Sequence, residues 1–484
     1  MAQFFKAQKR NNKTTRLPVL DIAVDTVDHH GKGICLTHKP IIVVANAVPG
    51  ELYKIQITEQ KQRVWFAKIV KVLKANEHRS APFCQHYNEC GGCSQQDFSA
   101  SYQYQVKQDA LEVFLRKNLD DSVFPPSVSF NDVLPYDDTV RTSIATDPKA
   151  SKTPAIAYRR KARLSIDSRQ ASKVKIGYRA KQSNKIIDIN VCPILDTPIQ
   201  EPLFALTQVL KTLPIVKMLG HMTVLSDKQR QQVCLHLTKA PDYSALTQLK
   251  EATREIDLEL TLELPESYEK SSPKSLVSLS NLVDAKANLA KCQKLNASFS
   301  ICDDGETNIM LSPNHFIQVN AKVNIDMLKT AKQWLSLTKN DTLVDLFAGL
   351  GNFSLHFAND VKQCIAAEGV AEMVELGKQN AALNGLINVL FKHVDLSDVD
   401  AFKELNIPEN STFIIDPARQ GALELMQVFS KLKPKRILYV SCNPISFARD
   451  INCLDEKYQI KQIKALDMFP FTEHIEMMAL LERV

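Results

Sequence analysis

The sequence predicts an α/β protein with a small β-rich domain in front, a Rossmann-like parallel sheet at the end and a mixed α/β domain between them. Two changes of pattern indicate this order. Alternating strands with glycine turns fill residues 18–73, and after about residue 336 apolar strands alternate with helical segments. The length agrees, because 484 residues exceed one ordinary core and suggest about three domains.

Residues 1–78 are predicted to form a small β-barrel. The stretches LDIAVDTV, PIIVVANAVPGELYKIQI and VWFAKIVKVL have the pattern of short strands, and Gly31 and Gly33 supply the first turn. The block resembles a TRAM domain, an RNA-binding module of the oligonucleotide-binding barrel type. This resemblance implies that the first domain contacts RNA.

Basic residues are concentrated in two blocks of a chain whose net charge is +6. Residues 1–80 hold 14 Lys or Arg against 6 Asp or Glu, and residues 158–185 hold 10 against 1. Lys and Arg that neutralise phosphates release counterions, so the two blocks together favour a nucleic-acid partner over merely solvated faces. In the second block, the residues expected to contact phosphates are Arg159, Arg160, Lys161 and Arg163.

A cysteine cluster opens the central domain, which is predicted for residues 79–310. Cys84, Cys90 and Cys93 are separated by five and two residues, and in a reducing compartment such thiols indicate a metal or cluster site. Cys192 is the candidate for the fourth ligand, and His86 is a spare one that is better explained as a surface residue. The spacing suits zinc and an iron–sulfur cluster about equally.

Two further elements of the central domain follow from local patterns. Residues 102–119 predict an amphipathic helix, and the stretch 120–154, rich in Pro, Asp, Ser and Thr, predicts a mobile surface loop. The chain has no run of the ~18 apolar residues that a membrane span requires, and residues 1–16 lack the apolar core of a secretory signal. We therefore expect a cytoplasmic protein without a membrane partner, acting as a monomer.

The third domain, predicted for residues 311–484, begins its sheet with a strand and a glycine turn. Gly349 and Gly351 lie in this turn, where glycine lets the backbone approach a ligand at the carboxyl edge of the sheet. Glu368 ends the next strand, 23 residues after Asp345, close to the offset at which an acid meets ribose hydroxyls. Asp395 follows the third strand and is a candidate to reach adenine. Each acid alone would also suit an ordinary strand-end cap.

Two more strands, FIIDPAR and ILYVSCNP, deliver polar groups to the same edge of the sheet. The first carries Asp416, in the sequence Asp-Pro-Ala-Arg. Enzymes that methylate amino groups commonly have Asp/Asn-Pro-Pro-aromatic instead, so amino-group methylation is disfavoured. The closing stretch, residues 460–484, predicts an antiparallel hairpin at the sheet edge.

A cysteine at a strand end suits methylation at carbon 5 of a pyrimidine. A thiolate that adds to carbon 6 of uracil turns carbon 5 into a nucleophile, and a base must afterwards remove the carbon 5 proton. Cys442 is the candidate nucleophile and Glu476 the candidate base. An inert buried thiol and a solvated strand residue are the alternatives that the residues alone leave open.

Five motifs occur in the order typical of one enzyme family: FIQVN, DLFAGLGNF, DPAR, SCNP and LDMFPFTEHIE. Over almost its whole length the chain resembles the uridine-C5 RNA methyltransferases, and among them those that act on 23S ribosomal RNA. The resemblance implies a class I methyltransferase fold, S-adenosylmethionine as methyl donor, Cys442 as nucleophile and Glu476 as base. It implies that the residues around S-adenosylmethionine are Gln318, Phe347, Asn352, Glu368, Asp395 and Asp416. It also implies a [4Fe-4S] cluster on Cys84, Cys90, Cys93 and Cys192.

The sequence departs from the family pattern at position 348, where alanine replaces a frequent cysteine. Two alternatives stay open. One is a tRNA uridine-C5 methyltransferase, although the barrel together with the cysteine cluster favours ribosomal RNA. The other is an RNA-binding protein that uses an iron–sulfur cluster as a redox sensor and has no turnover.

Overall fold

The computed structural model describes residues 17–28, 31–130, 156–170, 173–227, 229–265, 275–288, 291–403, 405–454 and 458–484. The chain divides into two compact units, Met1–Arg79 and Ser80–Val484, and each is described by itself. Over the described ranges, the search for a helix with the length and apolar character of a membrane span finds none.

The first unit is a six-stranded sheet in the order β1-β5-β6-β4-β3-β2. Its strands are β1 Val19–Ala23, β2 Thr26–Val27, β3 Gly33–Cys35, β4 Ile41–Val44, β5 Leu52–Gln60 and β6 Val64–Lys74. Apolar residues such as Ile42, Tyr53 and Ile55 are buried on one face. Only two residues separate β1 from β2, so one stretch of chain borders both edges of the sheet, as in a small barrel. The predicted β-rich domain is confirmed.

The second unit contains a seven-stranded central sheet in the order β13-β12-β11-β10-β7-β8-β9. Its strands are β7 Lys161–Asp167, β8 Lys175–Arg179, β9 Ile186–Asp188, β10 Leu219–Ser226, β11 Gln231–Leu237, β12 Glu259–Leu264 and β13 Ser275–Ser278. Three helices accompany it, and they are α2 Thr197–Thr212, α3 Tyr243–Ala252 and α4 Leu279–Asp284. Their leucines, including Leu206, Leu249 and Leu282, pack with the buried strand residues into one core.

Helix α1, Ala100–Asn118, confirms the predicted amphipathic helix and starts two residues earlier than expected. Ser99 caps its start by accepting a hydrogen bond from the Tyr102 amide. Residues 120–130 form an irregular segment that is largely exposed, as the predicted surface loop requires, but Phe124 and Phe130 anchor it in the same core as Leu111. The guanidinium of Arg116 lies 3.7 Å from the centre of the Phe124 ring. The rest of the predicted loop, residues 131–154, lies outside the described residues.

The C-terminal sheet has the order β18-β17-β16-β19-β20-β22-β21. Its first five strands are parallel: β16 Thr342–Leu346, β17 Gln363–Glu368, β18 Val389–His393, β19 Thr412–Ile415 and β20 Arg436–Ser441. The hairpin of β21 Tyr458–Leu466 and β22 Glu476–Arg483 is antiparallel and forms one edge. The Rossmann-like sheet and its edge hairpin are therefore confirmed.

Helices and a short two-stranded sheet complete this region. The strands are β14 Phe299–Ile301 and β15 Ile309–Leu311, and the helices are α5 Ala321–Leu335, α6 Ser354–Phe357, α7 Ala371–Leu383, α8 Val399–Lys403, α9 Leu423–Leu432 and α10 Pro444–Ile451. Because β16, β17, β19 and β20 are almost wholly buried, polar groups that follow them are confined to the carboxyl edge of the sheet.

Candidate active site

The turn after β16 has the unusual backbone that its glycines predict. Phe347, Gly349 and Gly351 have φ values of 63°, 58° and 97°, all in the left-handed region. A Cβ at Gly351 would lie 2.7 Å from Leu355 Cγ, so this position requires glycine. The carboxylate of Glu368 accepts hydrogen bonds from the amides of Gly349, at 3.0 Å, and Val370, at 2.9 Å. Glu368 therefore joins the ends of β16 and β17.

Two pairs of polar side chains lie near this turn. The side-chain amides of Asn352 and Asn324 form two hydrogen bonds, of 2.9 and 3.1 Å. Gln318 is buried, and its Nε2 donates to Asp416 Oδ2 at 3.5 Å, while its buried Oε1 has no hydrogen-bond partner among the described residues. Burial, reinforced by the charge of Asp345, raises the pKa of Asp416 to about 7. The structure thus brings Gln318 and Asp416 together at the sheet edge.

Asp395 lies in an exposed turn after β18. Its Oδ1 accepts hydrogen bonds from the Ser397 amide, at 3.0 Å, and the Ser397 hydroxyl, at 2.6 Å. These hydrogen bonds lower the pKa of Asp395. Its expected contact with adenine stays a prediction.

Cys442 and Glu476 face each other at the end of a β-ladder. Ser441 of β20 pairs with Met477 of β22, so the next residues, Cys442 and Glu476, lie opposite each other just beyond the last pair. The side chain of Glu476 is buried, and its Oε2 has no hydrogen-bond partner within the described ranges. Burial, with the charge of Asp416 adding to it, raises the pKa of Glu476 to about 8. The alternative of a solvated carboxylate is therefore wrong.

The thiol of Cys442 is partly exposed rather than fully buried. Burial raises its pKa, the charge of Glu476 raises it further, and Arg419 opposes the shift. Asn443 caps α10 by accepting from the Ile445 amide at 3.1 Å, and its Nδ2 donates to the Arg419 carbonyl at 2.9 Å. These bonds fix the SCNP turn to the DPAR turn beside it.

The four cysteines of the predicted cluster line one cavity of about 220 Å³. Burial raises the pKa of all four thiols, those of Cys84, Cys90, Cys93 and Cys192. Over the described residues, no three His, Cys, Asp or Glu side chains are grouped closely enough to hold a single metal ion. The ring of His86 also lines the cavity.

Comparisons with known proteins agree on one enzyme family. Residues 286–484 match the family model described as tRNA (Uracil-5-)-methyltransferase. The 23S rRNA (uracil(1939)-C(5))-methyltransferase RlmD of Shewanella sediminis is 35% identical to this chain over 489 residues, which cover 100% of both proteins. The RlmD of Aliivibrio fischeri is 34% identical over 488 residues, again covering 100% of both. The chain belongs to the RlmD family of 23S rRNA (uracil-C5)-methyltransferases.

A solved structure shares the RlmD-family fold seen here. The Pyrococcus abyssi tRNA (uracil-54, C5)-methyltransferase, in complex with S-adenosyl-L-homocysteine, is 20% identical and superposes with a TM-score of 0.66. The match covers 96% of this chain and 100% of that one. A tRNA enzyme therefore shares this fold.

The basic block of this RlmD-family chain is only partly available to RNA. The prediction that Arg160 contacts phosphate is wrong, because its guanidinium is buried and forms a two-pronged ion pair with Asp303. Lys161 donates to the His315 carbonyl, and burial lowers its pKa to about 8. Arg159 is partly buried, whereas Arg163 is exposed and keeps the predicted role open.

Several residues that organise the site escaped the sequence analysis. Asn324 forms hydrogen bonds with Asn352, and Asp303 forms an ion pair with Arg160. At the start of α6, Asp345 accepts a hydrogen bond from the Ser354 amide at 3.0 Å. The partners of Arg160 and Asn324 are 143 and 28 residues away in sequence, so no local pattern reveals them. Only Asp345 carried a signal, as the polar residue of an otherwise apolar strand.

Proposed function

We propose that Cys442 and Glu476 carry out the S-adenosylmethionine-dependent methylation of carbon 5 of a 23S rRNA uridine that membership in the RlmD family assigns to this enzyme. The Cys442 thiolate adds to carbon 6, and the electron pair of the carbon 5–carbon 6 bond moves to carbon 5. Carbon 5 takes the methyl group of S-adenosylmethionine and leaves S-adenosylhomocysteine. Glu476 then removes the carbon 5 proton, the double bond re-forms, and the carbon 6–sulfur bond breaks to release the thiolate.

The pairing of Ser441 with Met477 is the observation that carries this proposal. This register makes Cys442 and Glu476 neighbours across adjacent strands at the carboxyl edge of the sheet, where α/β enzymes bind their ligands. Glu476 suits a base, because burial places its pKa at about 8, near the working pH of a proton-transfer catalyst. Its Oε2 makes no hydrogen bond to any described residue and is left to accept a proton.

We assign the binding of S-adenosylmethionine to Gln318, Phe347, Asn352, Glu368, Asp395 and Asp416. The left-handed turn at Phe347 and the carboxylate of Glu368 lie where a ribose meets such sheets. The unpaired Gln318 Oε1 and the carboxyl of Asp416 offer acceptors for the amino acid part of the donor. Asp395, which is exposed, is the residue proposed to contact adenine.

A [4Fe-4S] cluster on Cys84, Cys90, Cys93 and Cys192 is part of the proposal. The four cysteines line one cavity of about 220 Å³, which leaves room for a cluster between them. Thiols whose pKa is raised by burial stay protonated until a metal replaces the proton. When bound, the cluster would crosslink the segments 84–93 and 192. Iron and zinc analysis of anaerobically purified protein tests it: about four iron atoms per chain are expected, and zinc in their place would refute the cluster.

We propose that the TRAM-like unit and exposed basic residues such as Arg163 bind the RNA. The target uridine must leave its stack to reach Cys442. The relatives' names give this uridine as 1939 of 23S rRNA. The description of the family model and the Pyrococcus structure favour tRNA as the second candidate. Mapping 5-methyluridine in both RNAs from cells that lack the protein distinguishes them: loss in 23S rRNA is expected, and loss confined to tRNA would contradict it.

Covalent trapping tests the mechanism. Cys442→Ala is expected to lose methylation and the adduct on denaturing gels, while Glu476→Gln is expected to methylate and then remain attached to the RNA. Cys453→Ala and Glu482→Gln, on the same domain, are matched controls that should behave as wild type. Retained turnover in Cys442→Ala, or an adduct-free Glu476→Gln protein that still binds RNA, would refute the assignment.

A further inference from the structure

The segment that leads into Glu476 is held by a part of the chain far away in sequence. Residues 467–475 connect β21 to β22, and Glu476 is the first residue of β22. Glu476 Oε2 has no hydrogen-bond partner among the described residues, so that oxygen is not held by a hydrogen bond. Its position therefore depends on the backbone that enters β22, which makes the contacts of this segment important for the base.

Helix α1 supplies three of these contacts. Gln103 Oε1 accepts a hydrogen bond from the Phe471 amide at 2.7 Å, and its Nε2 donates to the Gln95 carbonyl at 2.9 Å. One turn further along, Lys107 Nζ lies 3.0 Å from Asp467 Oδ1, and both side chains are buried. The hydroxyl of Tyr104 donates to the Ala465 carbonyl at 2.9 Å. One helix face therefore contacts the end of β21, the first residue of the segment and its middle residue, Phe471.

The cysteine-bearing segment supplies further contacts, all of them to Phe471. The amides of Ser94 and Gln95, directly after Cys93, both donate to the Phe471 carbonyl at 3.0 Å. The ring of Phe83, directly before Cys84, meets the Phe471 ring edge-on at 4.8 Å. Phe471 itself has a φ of 63°, a left-handed conformation that costs a non-glycine residue energy and persists only where its surroundings impose it.

We propose that Gln103 is a positioning residue for the base, acting through Phe471 to set the place of the Glu476 carboxyl. This inference rests on the proposed role of Glu476. Gln103 is fully buried and is the one described side chain that accepts from the Phe471 amide while also holding Gln95, whose own amide binds the Phe471 carbonyl. Gln103 thereby connects the Phe471 amide with Gln95, and both help to fix the left-handed conformation of Phe471.

The step that depends on Gln103 is removal of the carbon 5 proton. Cys442 lies on the SCNP turn, which Asn443 also holds to the DPAR turn, so we expect attack by the thiolate to depend less on the 467–475 segment than proton removal does. Without the Gln103 acceptor, the buried Phe471 amide loses its partner and the segment relaxes. Thiolate addition and methyl transfer then continue while the adduct resolves slowly, and the methylated protein–RNA adduct accumulates.

Gln103→Leu tests the inference, with Gln105→Leu, an exposed position on the same helix, as the matched control. Resolution of the adduct is expected to slow about 5- to 100-fold in Gln103→Leu, the range for a buried N–H that loses its acceptor. The trapped fraction on denaturing gels should rise accordingly, with unchanged RNA binding. A merely structural role would lower methylation and adduct together. Gln103→Glu, which as a neutral acid both accepts and donates, should restore resolution.

Two outcomes would overturn a proposal. A trapped fraction in Gln103→Leu equal to that of Gln105→Leu, while Glu476→Gln accumulates adduct, overturns the role of Gln103 and leaves the base intact. Absence of adduct in Glu476→Gln as well overturns the proposed function itself. If Gln103→Leu does not fold, Gln103→Asn, which keeps the amide but shortens its reach, is measured in the same way and judged by the same criterion.

Discussion

The side chains of Asn324 and Asn352 exchange two amide hydrogen bonds, from Asn324 Nδ2 to Asn352 Oδ1 at 3.1 Å and from Asn352 Nδ2 to Asn324 Oδ1 at 2.9 Å. Asn324 Nδ2 also donates to Asp303 at 2.8 Å, and Asp303 pairs with Arg160. Arg160 Nε in turn donates to the Gln318 carbonyl at 2.9 Å. One buried polar network thus connects two of the residues assigned to S-adenosylmethionine.

Removing Asn324 is expected to weaken binding of the methyl donor. In Asn324→Ala the Asn352 amide loses both partners and is free to rotate, so the affinity for S-adenosylhomocysteine should fall about 3- to 10-fold, as for one neutral hydrogen bond. Isothermal titration calorimetry measures it, with the exposed Asn340→Ala as control. An unchanged dissociation constant in a folded Asn324→Ala protein would show that the network does not support the donor site.

Arg160 is expected to act on stability rather than on RNA. Its ion pair with Asp303 is buried, so Arg160→Met leaves an uncompensated carboxylate and should cost about 3–5 kcal/mol of unfolding free energy. Arg160→Met combined with Asp303→Leu should recover most of that loss. Urea denaturation is the measurement, and Arg169→Met, at an exposed pair, should leave the unfolding free energy almost unchanged. A double variant as unstable as Arg160→Met would contradict this account.

The sequence predicted best what adjacent residues encode. The parallel sheet, its edge hairpin, the left-handed turn at Gly351 and the facing pair Cys442 and Glu476 follow from strand periodicity, from glycine in a required conformation and from motifs with a recognisable order. Each of these signals lies within about a dozen residues. The prediction of the cysteine cavity combined two signals, the spacing of three cysteines in residues 84–93 and the single Cys192 about a hundred residues later.

Contacts between residues far apart in the chain could not be predicted from the sequence, for a physical reason. Gln103 and Phe471 are 368 residues apart, and Arg160 and Asp303 are 143 apart, so their hydrogen bonds depend on the assembled tertiary structure. The same holds for residues 120–130, a largely exposed segment in which the burial of Phe124 and Phe130 could not be predicted from the Pro and Asp around them. Tertiary packing overrode the local composition there.

Arg163 is expected to contribute to RNA affinity through charge alone. Its side chain is exposed and makes a hydrogen bond to His221, which is also on the central sheet. Arg163→Ala should lower the slope of log affinity against log salt by about 0.7–0.9, the value for one lost phosphate contact. Filter binding across a salt series measures it. Arg254→Ala, exposed but outside the basic block, is the control, and equal slopes for both variants would refute a phosphate contact.

The pH dependence of the reaction is expected to follow Glu476. A base must be ionised, and burial with the charge of Asp416 raises the pKa of Glu476 to about 8. Resolution of the adduct should therefore quicken about tenfold per pH unit below about 8 and become constant above it. The raised pKa of Cys442 favours alkaline conditions for thiolate addition as well. Adduct formation and adduct decay must consequently be timed separately, by quenching single turnovers on denaturing gels.

Asp416→Asn provides the internal check on that profile. Without the neighbouring carboxylate, the ionised form of Glu476 is less disfavoured, so its pKa falls and the rising limb of the decay rate moves to lower pH. Because Asp416 is also assigned to the methyl donor, decay is followed from preformed adduct, after methyl transfer is complete. Glu476 remains buried in this variant, so the decay rate should still rise at a higher pH than the pKa of an ordinary glutamate would give. A limb that stays in place would mean that the titrating group is not Glu476.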